Sequence, residues 1–207
     1  FLIGQDNKQS IKYADLAIKN DMYNEKAYYV KGFNFLELGD TNKAISSIQT
    51  SVEQNPDYYD GYLQLGLIYS EQRNPLAVDY FNNALKVKPN DKNALYAKAM
   101  FEQENDMLNE AMKTYTMAIK AHPDFREAYY NMGYLHMYYL KLYREGLKYF
   151  TDAIEVDPRY FQAYYNRGYS FELMGDINNA AKDYRKALSI APDYNLAAEG
   201  LNRVTEN

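Results

Sequence analysis

Residues 163–194 read AYYNRGYSFELMGDINNAAKDYRKALSIAPDY, and this stretch decides the fold because four more segments repeat its pattern. Aligned, the segments share three columns of small residues. The first is Gly32, Gly66, Ala99, Gly133, Gly168; the second Ala44, Ala77, Ala111, Gly146, Ala180; the third Ser51, Ala84, Ala118, Ala153, Ala187. Pro56, Pro89, Pro123, Pro158 and Pro192 close the units at spacings of 33, 34, 35 and 34 residues. Self-similarity at such a period marks a stacked repeat architecture.

Second column to proline is always 12 residues and third column to proline always 5, whereas first to second is 12, 11, 12, 13 and 12. Length therefore varies only around Gly39-Asp40, Arg73-Asn74-Pro75, Asn105-Asp106, Leu140-Lys141 and Gly175-Asp176. Loops absorb single-residue changes that packed helices do not, so each unit is expected to be two helices joined by a turn there. The proline ends the second helix, because it cannot donate the next backbone bond.

Small side chains suit the places where helix axes cross closely, and large residues fill the flanks. Tyr28, Tyr62, Leu95, Tyr129 and Tyr164 precede the first small column by one turn, and Ile48, Phe81, Tyr115, Phe150 and Tyr184 precede the third. The aromatic, Gly, Tyr, Ala, Phe and Pro series resembles the tetratricopeptide repeat over nearly the whole chain. It departs from that pattern where tyrosine or leucine replaces the leading tryptophan. Lys31, Lys98 and Arg167 stand in for leucine, and Glu102 and His136 take the middle aromatic place. The expectation for the three cations is that their stems lie on apolar surface while the charge stays wet. The resemblance implies an all-α, right-handed superhelical α-solenoid of antiparallel helix pairs.

The expected organisation is one solenoid over residues 1–207: a partial repeat at 1–24, full repeats at 25–58, 59–91, 92–125, 126–160 and 161–194, and a capping helix at 195–207. In the partial repeat Phe1 matches the middle aromatic column, Ser10 and Ala17 the second and third small columns, and Met22 the proline. The chain is thus expected to begin inside a repeat, with more of the protein upstream. Leu196, Ala197, Glu199, Gly200 and Arg203 resemble a further first helix with a polar outer face, as a solenoid end requires.

The formal net charge of -5, with no basic block, argues against nucleic acid, which asks for a basic stripe. No apolar run is long enough to insert directly into a membrane. Cysteine is absent, so neither disulfides nor thiol chemistry enters. His122 and His136 lack partners at metal-ligand spacing, and the serines Ser10, Ser46, Ser47, Ser51, Ser70, Ser170 and Ser189 lie in helices without a nucleophile elbow or phosphate loop. Neither catalysis, metal nor cofactor is therefore expected.

What remains is binding. In the family the first helices line the concave face, so the resemblance implies an inner lining of Tyr29, Leu63, Tyr96, Tyr130 and Tyr165, then Phe33, Leu67, Met100, Tyr134 and Tyr169. One turn on come Glu37, Glu71, Glu104, Tyr138 and Leu173. Rigid aromatic rings are the usual anchors of a recognition surface. Asn131 and Asn166 are expected to hold a peptide backbone, and the three glutamates, with Asp60 and Glu127 near the rim, to prefer lysine or arginine. Some family members grip a terminal carboxylate with lysine, arginine and asparagine. Here Tyr29, Leu63 and Tyr96 occupy the lysine places, so that clamp is not expected. The expected function is a protein- or peptide-binding adaptor or scaffold. The alternatives are a structural or oligomerisation segment, or a regulatory domain of a larger protein.

Overall fold

The computed structural model describes residues 2–206, with side chains from residue 6 onward; Phe1 lies outside the described residues. The chain is all-α and falls into two compact units, Phe1–Asn105 and Asp106–Asn207. In the first unit, α1 (Leu2–Asn20) is followed by the pairs α2 (Glu25–Glu37) with α3 (Thr41–Gln54) and α4 (Tyr59–Glu71) with α5 (Leu76–Val87), then by α6 (Lys92–Glu104). The second unit opens with α7 (Leu108–Ala121). It continues with α8 (Arg126–Tyr134) and α9 (Tyr143–Val156), α10 (Phe161–Leu173) and α11 (Ile177–Ile190), and ends with α12 (Asn195–Thr205). No described helix is long and apolar enough to cross a membrane.

The turn sequences explain the pairing. Gly39 and Gly175 adopt φ +79°, and the same place is taken by Arg73, Asp106 and Lys141 at φ 51°, 60° and 56°. After Gly39, the amide of Asp40 reaches back to the carbonyl of Phe35 at 2.9 Å, closing α2 in a left-handed cap. Asp40 then caps α3, its carboxylate accepting from the Lys43 amide, and Asp176 does the same for Asn179 after Gly175. One Gly-Asp pair thus stops one helix and starts the next. At the other end Asn55 and Asp157, each before a proline, are extended, as the proline ring demands.

All fifteen residues of the three small columns are buried, and Ile48, Phe81, Tyr115, Phe150 and Tyr184 are wholly inaccessible. A Cβ at Gly32 would lie 2.4 Å from Ile48 Cγ1, and one at Gly66 2.5 Å from Phe81 Cε1. These columns are where second-helix side chains press against first-helix backbone, which is why they are small. At the C-terminus a Cβ on Gly200 would meet the Tyr184 ring at 2.6 Å, so α12 lies close on α11.

Several expectations need correction. The extra residue of the fourth unit is not in the loop: α8 continues as a π-helical turn, Leu135–Tyr139, and the connecting loop is as short as its counterparts. The amide of Leu142 reaches His136 O at 2.8 Å, one residue further back than the corresponding bond from Asp40 to Phe35. The helix has absorbed the insertion by widening one turn.

The three cations are half-buried as expected, but each charge meets a carboxylate and not water alone. Arg167 forks onto Asp183 at 2.7 and 2.8 Å and lies over the Tyr164 ring, Lys31 pairs with Asp15 at 2.7 Å, and Lys98 approaches Glu102 at 3.6 Å. Glu102 is only 2% exposed, and Lys98 lies within ion-pair distance of it. His136 is half-buried, with Nδ1 2.8 Å from Met132 O and its ring 5.0 Å from that of Tyr149. In α1, Ser10 and Ala17 are only half-buried, unlike their column mates, and the helix runs unbroken past Gln5-Asp6, where the repeat would place a turn.

Candidate functional site

The candidate residues all project from first helices, and each unit presents its own set. In the first unit Phe33 (42% exposed), Leu67 (38%), Glu37, Glu71 and Glu104 face solvent, while Tyr29, Leu63, Tyr96 and Met100 are half-buried. The difference has a cause one turn earlier: Tyr29 packs edge-on against Tyr58 with centroids 5.4 Å apart, and its outer face stacks on Phe33. Burial, helped by the nearby charge of Asp60, pushes the Tyr29 phenol above its usual range, so it stays neutral at physiological pH. The three glutamates form no ion pair among the described residues.

The second unit offers tyrosine instead of carboxylate. Tyr134 and Tyr138 stack at 5.2 Å with planes 11° apart, and Tyr165 and Tyr169 at 6.3 Å with planes 1° apart, both at the one-turn spacing. Tyr139 stands nearly perpendicular to both rings of the first stack. Tyr138 is 52% exposed, Tyr134, Tyr165 and Tyr169 are half-buried, and Leu173 is exposed at the end of α10. Burial pushes Tyr130 up to about 12 and raises Tyr134 and Tyr165. The ledge therefore presents neutral rings with hydroxyls that both donate and accept.

Asn131 and Asn166 lie elsewhere than expected. They are 8% and 6% exposed, and their amide groups are engaged inside the protein: Asn131 Nδ2 donates to Tyr115 Oη at 3.0 Å, and Asn166 Nδ2 to Tyr130 Oη at 2.8 Å. Each gives one of its two N–H donors to a phenol and is too buried to meet a ligand backbone squarely, so these residues position tyrosines. Glu127 is likewise tied to Arg126 at 2.8 Å, and Arg126 also bonds Asp157 and lies over the Tyr160 ring. The Glu127 carboxylate is thus already paired within the protein.

One column escaped the sequence reading. Tyr58, Phe125, Tyr160 and Tyr194 each stand two residues after a unit's proline, just before the next first helix. Three of them hold a lining tyrosine: Tyr58 against Tyr29, Tyr160 against Tyr130 at 5.2 Å, and Tyr194 against Tyr165 at 5.4 Å. The signal is present in the sequence as a Pro-x-aromatic ending shared by four of the five units.

Among the described residues no group of three or more His, Cys, Asp or Glu is arranged to hold a metal ion. Tetratricopeptide repeat models match residues 25–58, 127–160 and 161–194. Human protein O-mannosyl-transferase TMTC1 is 30% identical over 101 residues, 46% of this chain and 12% of that protein. The UDP-N-acetylglucosamine–peptide N-acetylglucosaminyltransferase of Giardia intestinalis (strain ATCC 50803 / WB clone C6) is 25% identical over 133 residues, 63% of this chain and 9% of that protein. The chain spans about a tenth of the length of these relatives.

Among solved structures, YrrB, described as a tetratricopeptide repeat protein with an unusual peptide-binding site, superposes with TM-score 0.72 at 20% identity over 90% of this chain and 96% of its own. MamA gives 0.72 at 21% identity over 80% and 91%. A tetratricopeptide repeat protein from Parabacteroides merdae ATCC 43184 gives 0.75 at 20% over 87% and 72%. At these identities the likeness is one of fold.

Proposed function

Because the chain belongs to the tetratricopeptide repeat family, whose helix pairs serve as protein-interaction scaffolds, we propose that it is a non-catalytic adaptor that holds an extended polypeptide on its first-helix faces. The observation that carries this is the tyrosine ledge of the second unit. Its rings are braced by neighbours: Tyr139 stands edge-on to Tyr134 and Tyr138, Tyr194 packs against Tyr165, and the lining Tyr130 is held by Tyr160 and Asn166, yet the stacked side chains keep exposed area. Rings already locked in place lose little entropy when a ligand covers them, so their burial goes largely into affinity. In the first unit, Glu37, Glu71 and Glu104 stand at nearly the repeat spacing beside Phe33 and Leu67, which favours lysine or arginine in the segment lying there.

The deciding experiment measures two quantities on one variant. Tyr134→Ala is expected to weaken polypeptide binding by about 1–3 kcal/mol, with a smaller loss of thermal stability. A fall in melting temperature with unchanged affinity per folded molecule would make the tyrosines packing alone.

A second reading draws on the coverage of the relatives: the two named transferases are some ten times longer than the matched segment. On that reading the chain is the repeat segment of a larger protein and receives another part of that protein on the same faces. Fusing candidate flanking segments and finding the ledge tyrosines protected in the fusion but not in the isolated chain would favour it.

A further inference from the structure

The turn between the two helices of the fourth repeat departs from the other four in how its first helix ends. Its first helix ends in five residues of π-helix, a form that is rare and recurs at functional sites. The left-handed position is held by Lys141, as it is by Arg73 and Asp106 in the second and third repeats and by glycine in the first and fifth, so the backbone there is strained. Around it Tyr138, Leu140 and Leu142 are all exposed. Sequence economy would put a glycine at 141 and a polar residue at 138, as Gly39 and Glu37 do in the first repeat.

The two cations on this turn, Lys141 and Arg144, stand three residues apart with no carboxylate between them. Arg126 pairs with Glu127 and Asp157, Arg167 with Asp183, and Arg203 with Glu172. Lys141 instead rests over the Tyr138 ring, Nζ 4.9 Å from the centroid, and neither it nor Arg144 forms an ion pair among the described residues. Glu145, the carboxylate next along the chain, is exposed and bonds neither of them. A ring quadrupole orients an ammonium without neutralising it.

We infer that the turn from Tyr138 to Arg144 is a recognition surface for an acidic stretch of the bound polypeptide in which carboxylates alternate with apolar side chains. A ligand carboxylate pairs with Lys141 and Arg144, and the adjacent apolar side chain covers Tyr138, Leu140 and Leu142. The π-turn is what brings an aromatic ring to the place where other repeats carry glutamate, and Lys141 is what gives it a sign. A basic segment is rejected here by two like charges. The inference rests on the reading that the second unit's ledge binds polypeptide, and it adds the chemistry of one end of that ligand.

The test uses three labelled synthetic peptides of equal length in which phenylalanine alternates with glutamate, glutamine or lysine, titrated against the whole chain. The glutamate peptide is expected to bind most tightly and the lysine peptide least. Lys141→Gly is expected to weaken the glutamate peptide about five- to tenfold while raising the melting temperature, because it removes both the charge and the strain. Lys141→Arg should keep the affinity. Opposite movements of affinity and stability are not what a folding defect produces. Unchanged binding of the glutamate peptide to Lys141→Gly overturns the inference, as does a lysine peptide that binds equally well. If Tyr134→Ala still weakens binding in that case, the ledge stands without its acidic preference; if Tyr134→Ala has no effect either, both readings fall.

Discussion

At Gly66 the first-helix backbone passes so near the wholly buried Phe81 ring that a methyl group has nowhere to go: its carbon would sit 2.5 Å from Cε1 and 2.6 Å from Cδ1. At Gly168, in the same column, the nearest atoms are Asp183 Cβ and Tyr184 Cε1 at 3.1 Å, a gap that a few tenths of an ångström relieves. Alanine in a helix interior gains about 1 kcal/mol over glycine, whereas overpacking a rigid contact costs about 1–3 kcal/mol. The two effects should nearly cancel at Gly168 and not at Gly66. Gly66→Ala is expected to lower the unfolding free energy by about 1–2 kcal/mol and Gly168→Ala to leave it almost unchanged. Chemical denaturation of both variants checks the order, and equal losses would mean that ring clearance does not set the cost.

At the scale of the helix, the length of a repeat turns out to be negotiable in two places rather than one. The second repeat is short by a residue and its second helix starts late, after Pro75, while the fourth is long by a residue and widens its first helix at Leu135–Tyr139. The sequence located both irregularities between the same two columns but could not assign them to loop or helix, since spacing counts residues and not hydrogen bonds. The columns themselves were legible because five units state the same steric requirement. The partners of Lys31 and Arg167 were not, because Asp15 and Asp183 are chosen by the register between helices. The buried amides of Asn131 and Asn166 were misplaced for a related reason: a polar residue one position from a lining tyrosine looks exposed on a helical projection, yet here it points under the neighbouring ring. Deleting Leu140, which is exposed, would restore the common spacing from Gly133 to Gly146. The variant is expected to fold with stability within about 1 kcal/mol of the parent and with ordinary α-helical bonding through Met137, visible in amide exchange. Collapse of the second unit would show instead that the wide turn is needed for packing.

On the scale of the whole chain, stacked repeats hold together through their neighbours, so the last one depends on whatever covers it. Here α12 does so, with Ala197 and Val204 buried and Gly200 against Tyr184. Arg203 ties it back across the fifth repeat, its guanidinium donating to Glu172 Oε1 at 2.9 Å and Oε2 at 3.1 Å, and the Tyr184 hydroxyl of α11 donates to the same Oε2. Burial alone would raise the Glu172 carboxyl above its ordinary 4.5, but the hydrogen bonds from Arg203 and Tyr184 outweigh it and hold the group lower. A carboxyl held low in the folded state contributes stability above its unfolded value, and that contribution is lost as pH falls through the folded one. Arg203 is half-exposed, so solvent screening limits the contribution to about 0.5–1 kcal/mol. Glu172→Gln is therefore expected to be less stable than the parent by about that amount near pH 7, with the difference shrinking steadily below about pH 4 as the parent's own carboxyl protonates. Melting curves of both proteins across that range, read by a probe on α12, test it. A gap that stays constant into acid would mean that the loss comes from packing of the amide and not from the charge that Arg203 holds.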